Sequence, residues 1–339
     1  MSAKTASVGI QKNKKRIAWI DIAKGFTILT VIWGHTLAGG TLARQIICSF
    51  HMPLFFLLSG YTMKRAKSKK DLIDRTKKDF MRLIVPVIII LVIESLLNIL
   101  LRHADCGNEI RNILYKLFWS SGLSHDEGMP SMGMPWFLVS LFLAKLILRI
   151  LSLVSKKDYQ LMGILLGFLG VALGVKRYWL PFSLDVALVA LMFISVGMLA
   201  RKYSKTIKKY RVPIFIASTF FVYSVLRTCG WVDFAGHMYN LTSLIEGFAA
   251  SFIFCVVCRY LSSLEVIHKV FCLIGVNTMT IFFIHSLDGF YSFLYANDNV
   301  YIMLVLRTFF ALLFSWMLIW LTSIIKKTMP INKRNAIRR

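Results

Sequence analysis

Three ionisable residues, Asp21, Lys24 and His35, lie inside the first long apolar run of the chain, RIAWIDIAKGFTILTVIWGHTLA, Arg16 to Ala38. The run is long enough to form a helix that crosses a bilayer. Charged and ionisable groups at membrane depth are costly, so they mark functional sites by default. Lys24 and His35 are eleven residues apart, close to three helical turns, which places them on one face about 16 Å apart along the axis. Asp21 stands one turn before Lys24 on the same stripe, and its simplest role is an ion pair with Lys24. A cation near one surface and a histidine towards the other can serve a path across the membrane. A donor carrying phosphate could anchor at Lys24 and extend an arm to His35. There the imidazole could act as general base on a hydroxyl, because its pKa lies near working pH, or as a nucleophile that takes an acyl group transiently.

The elements that must hold these residues are apolar helices. Of 339 residues, 57% are hydrophobic, well beyond the composition of a soluble globular chain. Runs of bilayer length recur at 17–38, 42–62, 83–101, 135–154, 159–175, 181–200, 212–228, 240–258, 270–292 and 300–325. The expected fold is all-α, a polytopic membrane bundle of about ten helices over residues 17–325, flanked by tails at 1–16 and 326–339. Basic residues set its direction. With the N-terminus inside, 31 of the 41 Lys and Arg fall in cytoplasmic segments and seven in external ones. Both termini are therefore expected in the cytoplasm. The polar start of the chain, with Lys12, Lys14 and Lys15, reads as a cytoplasmic tail rather than a cleavable leader.

This distribution also accounts for the net charge of +25. The cations follow the connections between spans rather than one face, which argues against nucleic-acid binding. The six cysteines lie mostly in or beside apolar runs, and Cys255-x-x-Cys258 has no second pair with which to hold zinc. His35, His51 and His285 share a depth in the outer half of the membrane. None of them pairs at the i,i+4 spacing of a helical metal site, so no metal is expected. Singly, His51 and His285 can either reach interfacial water or take part in function. Glu246 and Arg307 fall in the outer part of spans 8 and 10, Glu94 near mid-depth, and Lys145 within span 4.

Two connections have character of their own. The basic segment Lys64 to Pro86 is interrupted by apolar positions. It reads either as an amphipathic helix on an anionic leaflet or as a cradle for a phosphorylated ligand. The external connection from Arg102 to Met134 contains HADCGNE and SHDEGMPSMGMP. It reads as a turn-rich loop that either covers an outward pocket or simply joins two spans.

The chain resembles the acyltransferase-3 family of bacterial integral-membrane O-acyltransferases, in particular its short sugar O-acetylase branch. WIDIAKGFTILTVIWGHT is similar to the family's first-helix motif, here Lys24, ten intervening residues and His35. FHMPLFFLLSGY from Phe50, PWFLVSLF from Pro135 and IGVNTMTIFFIHS from Ile274 are similar to three later segments. The resemblance implies transfer of an acyl group, usually acetyl from acetyl-CoA, across the plasma membrane to a hydroxyl of a cell-surface glycan or lipid-linked sugar. It implies His35 as the catalytic residue and Lys24 as a contact for the CoA end. Many members carry an Arg-x-x-Arg pair before the third helix. Lys77, Lys78 and Arg82 stand there in this chain, with Lys78 and Arg82 four apart. They are the expected further contacts for acyl-CoA, while Asp21, His51, Trp136, Glu246, His285 and Arg307 are expected to support the site. The chain is expected to lack the extra span and soluble C-terminal domain of larger members. The alternative class is a transporter or flippase with a relay of intramembrane charges, although no inverted repeat is visible. A sensor without chemistry would leave the stripe on the first span unexplained.

Overall fold

The structure, a computed structural model, describes residues 17–123, 130–228, 234–235 and 239–328. The expected tail 1–16, most of the expected tail 326–339, Cys229 and part of the SHDEGMPSMGMP stretch lie outside the described residues. Among the described residues the secondary structure is entirely helical. In chain order the helices are α1 (Ala18–Gly34), α2 (Leu42–Thr62), α3 (Lys69–Asp79), α4 (Val85–Arg102), α5 (Cys106–Trp119), α6 (Trp136–Val154) and α7 (Tyr159–Val175). They continue as α8 (Leu184–Lys202), α9 (Ser204–Lys209), α10 (Arg211–Thr228), α11 (Leu241–Leu261), α12 (Glu265–Val276), α13 (Thr278–Ser286) and α14 (Val300–Thr328).

Among the described residues, six helical segments are long and apolar enough to cross a membrane, and a seventh if α12 and α13 count as one bent span. The other three of the ten expected runs form shorter helices. α1 has 17 residues and carries Asp21 and Lys24; Tyr159–Val175 and Arg211–Ser224 are apolar but short. The α8 segment is the centre of the bundle, 72% buried over its apolar window, whereas α14 is 11% buried over its own. On α14 the exposed side chains include Tyr301, Val305, Phe309, Trp316 and Trp320, a surface suited to lipid tails and interfaces.

Lipid tails are as apolar as leucine, so burial of apolar surface does little to bring such helices together, and close backbone packing must do it. At the crossing of α1 and α12, a Cβ on Gly275 would overlap the Asp21 carbonyl, and one on Gly25 would overlap the Phe271 carbonyl. Gly60 and Gly197 lock α2 against α8 in the same reciprocal way. These contacts fix α1 against the later half of the chain.

Two expectations change. The run 270–292 is not one straight span: α12 and α13 meet at Asn277 with a bend of 60°. Here side chains take over backbone carbonyls, Asn277 Nδ2 donating to Leu273 at 2.9 Å and Thr278 Oγ1 to Gly275. The Arg102–Met134 connection is not a plain loop, because it contains α5. Asp105 caps that helix, its carboxylate accepting from Asn108 N–H at 2.8 Å, and Ile113 and Leu117 pack on the core. The Lys64–Pro86 segment is helical from Lys69, in keeping with the amphipathic-helix reading, and joins the third span without a break, through a π-helical turn at Phe80–Ile84. Its apolar Ile73, Phe80 and Met81 are exposed beside Lys77, Lys78 and Arg82, the surface of an amphipathic segment.

Candidate active site

α1 ends at Gly34, and His35 caps it, its backbone N–H donating to the Val31 carbonyl at 3.1 Å. The side chain therefore leaves the helix where the chain turns towards α2. It is exposed into a cavity of about 530 Å³. Residues from the start of α2, the middle of α4, the Ser131–Trp136 segment, the end of α13 and the start of α14 complete the walls. No hydrogen bond engages the His35 ring among the described residues, so its nitrogens are available to a ligand. The His285 ring packs edge-on against it, with centroids 5.5 Å apart.

His285 is completely buried in the last turn of α13, and its Nδ1 lies 3.0 Å from Asp288 Oδ2. Asp288 sits in the short 3₁₀ turn that follows. Arg307 of α14 grips the same carboxylate oxygen, through Nε at 2.8 Å and also through Nη2. Its Nη1 donates to Thr36 Oγ1 at 3.1 Å. One guanidinium thus joins the Asp288–His285 pair to the residue next to the candidate base. One residue further along α14, Thr308 accepts from Trp33 Nε1 at 3.1 Å. Two adjacent residues of α14 hold the end of α1 in place. Charge-assisted bonds of this kind are shorter and stronger than neutral ones and fix geometry well.

The opposite wall is built by other pairs. Glu94 of α4 accepts from Lys116 of α5 at 2.9 Å, and Arg44 donates to the Leu37 carbonyl at 2.8 Å. His51 Nδ1 lies 2.7 Å from the Ile47 carbonyl; as donor there, a neutral ring turns its acceptor nitrogen away from its own helix. Trp136 opens α6, almost fully buried, with its ring at the cavity wall.

Of the residues singled out from the sequence, His35, His51, Trp136 and Arg307 line this cavity, and His285 lies directly against His35. Glu246 does not line it. Its side chain is wholly buried on α11, and among the described residues neither carboxylate oxygen has a hydrogen-bond partner. Lys24, Lys77, Lys78 and Arg82 also stand apart from the cavity. The ion pair expected between Asp21 and Lys24 is not formed. Asp21 has no ion-pair partner among the described residues; it lies at the crossing with α12, where Gly275 presses on its carbonyl. An i,i+3 pair on a helix is worth only about a few tenths of a kcal/mol and yields to such packing.

The stripe from Lys24 to His35 is not an open channel either. Ile28 and Val31 lie between the two residues, each 1% exposed and packed into the core with Ile90 and Leu91 of α4.

Arg44, Thr36, Glu94, Lys116 and Asp288 belong to the site although sequence reasoning did not assign them to it. A signal for two of them existed. Arg44 and Lys116 are among the few cations on the side that the positive-inside pattern leaves poor in charge, and both serve the cavity.

A family model described as an acyltransferase domain matches residues 17–325. The chain belongs to the acyltransferase-3 family. No curated protein and no solved structure matches the chain. Family membership and the apolar helices together make this a membrane acyltransferase.

Proposed function

We propose that the protein is an O-acyltransferase of the bacterial plasma membrane, a ten-helix bundle with both termini in the cytoplasm. It moves an acyl group, in the first instance acetyl, from cytoplasmic acyl-CoA to a hydroxyl of a cell-surface glycan or lipid-linked sugar. The observation that carries this reading is His35 itself, exposed to a cavity of about 530 Å³ on the side poor in Lys and Arg. The acceptor enters this cavity, with Trp136 as a flat wall for a sugar ring. His35 takes the proton of the attacking hydroxyl. The new O–C bond forms at the thioester carbonyl, the C–S bond breaks, and the proton passes to the departing CoA thiolate. His285, Asp288 and Arg307 position the base.

On the other side, Lys24, Lys77, Lys78 and Arg82 supply positive charge for the phosphates of CoA. The thioester arm must cover the distance of about 16 Å along α1. Because Ile28 and Val31 fill that face, transfer requires them to move aside.

The test is label transfer from radiolabelled acetyl-CoA in membranes, with nuclear magnetic resonance and mass spectrometry of the surface glycan. His35→Ala is expected to be produced at normal level and to leave the glycan unacylated. Undiminished acylation in that variant would overturn the assignment. Substrate uptake by sealed vesicles without acyl-CoA would favour transport instead.

A further inference from the structure

A second cavity, about 600 Å³, lies on another side of the bundle, between the ends of α2 and α8 and the helices α9, α10 and α11. Its walls are apolar: Leu57, Ile207, Ile214, Phe248 and Phe252 are typical. It follows α11 from Ile245 to Arg259, a length of about 21 Å at the helical rise. One end alone is charged, and there three cations meet. Lys208 comes from α9, Arg211 from α10 and Arg259 from α11. Arg211 lies over the Tyr260 ring, 5.5 Å from its centroid. Among the described residues, none of the three has a carboxylate within ion-pair distance.

A long apolar groove with a triad of cations at one end has the shape and charge of a lipid with an anionic headgroup. The cations fall in connections 201–211 and 259–269, which the distribution of Lys and Arg assigns to the cytoplasmic leaflet. A chain in one leaflet spans about half of the hydrocarbon core of about 30 Å, and the groove accommodates that length. A lipid-linked sugar fits less well, since its sugar must reach the His35 cavity and its phosphate would then lie at the opposite end from these cations. We propose that the groove holds an anionic phospholipid of the inner leaflet, one acyl chain lying along α11 and the phosphate held by Lys208, Arg211 and Arg259. The lipid bridges three helices that otherwise meet around an open groove. This proposal is independent of acyl transfer.

The full-length protein, delipidated in detergent, is titrated with phosphatidylglycerol and with phosphatidylcholine and read by native mass spectrometry. Phosphatidylglycerol is expected to bind at least tenfold more tightly. The variant K208Q/R211Q/R259Q is expected to lose that preference, and Ala249→Trp, which fills the groove, to lose both lipids. H35A is expected to bind lipid as the parent protein does, which separates this outcome from the fate of the catalytic assignment. Equal affinity for the two lipids, or a preference that survives in the triple variant, would overturn the proposal.

A second readout needs no substitution. Cys255 lines the groove, so phosphatidylglycerol should slow its alkylation by maleimide, followed by peptide mapping, at concentrations at least tenfold below those at which phosphatidylcholine does. An unchanged rate at Cys255 would also overturn the proposal.

Discussion

The two cavities are nearly equal in size, about 530 and 600 Å³, and opposite in construction. The His35 cavity is assembled from many separated parts of the chain and kept in shape by charged bonds such as Arg307 to Asp288 and Lys116 to Glu94. The groove is made chiefly by the apolar flanks of neighbouring helices, and its cations sit only at one end. Unfavourable burial of charge is tolerated where the charges satisfy one another and hold a reactive group. Where there is nothing to react, the protein leaves an apolar surface for lipid. Chemistry and anchorage are thus separated in space.

That separation can be broken by substitution. The largest expected effect is at His35. Loss of a general base slows proton transfer by 10² to 10⁴-fold, so His35→Ala should fall at least a hundredfold in label transfer, while lipid retention in the groove stays at the parent level. Next is Arg307→Met. It strands the buried Asp288 carboxylate, and removal of one partner of a buried pair costs about 3–5 kcal/mol. Thermal unfolding in detergent should show a marked drop in Tm together with loss of acylation, and Asp288→Asn on the same chain should restore part of the Tm. No recovery in the double variant would mean that the pair is not coupled. Gly275→Leu forces α12 away from Asp21 and should cost about 1–3 kcal/mol, read as lowered Tm with reduced transfer. Unchanged Tm would deny that this crossing sets the position of α1.

The smallest effect should come from the exposed cations. Replacing Lys77 and Lys78 with Gln should raise the apparent KM for acetyl-CoA a few-fold, as surface charges worth about 0.2–1 kcal/mol each would, with kcat held. An unchanged KM would remove them from the donor site.

The sequence made the outline of the fold visible because hydropathy reports which segments avoid water, residue by residue. It also made His35 visible, because a histidine at the end of an apolar run is locally odd. The ion pair across α13 and α14 was not visible, since Asp288 and Arg307 are 19 residues apart and their bond depends on how two helices meet. Glu94 and Lys116 are 22 apart and needed α5, which polar stretches on both sides disguised as a loop. Its pattern of Ile110, Ile113, Leu114, Leu117 and Phe118 carries the helical period all the same. The bend at Asn277 leaves hydropathy unchanged and so leaves no trace in it. The stripe on α1 misled in one respect. Periodicity placed Lys24 and His35 on one face but could not say that Ile28 and Val31 would be buried in the core between them.

The bond from Arg307 to Thr36 spans 271 residues of chain. At about 5–20 residues per second, a ribosome needs on the order of half a minute to deliver the arginine after the threonine. Throughout that interval α1 is already made, and in the last of it Asp288 is made too, with the cation that neutralises it still to come. The insertion machinery must therefore hold an unfinished bundle whose acidic partner has no counter-charge. A chain that terminates between Asp288 and Arg307 will keep that defect and should be recognised as unassembled by membrane quality control.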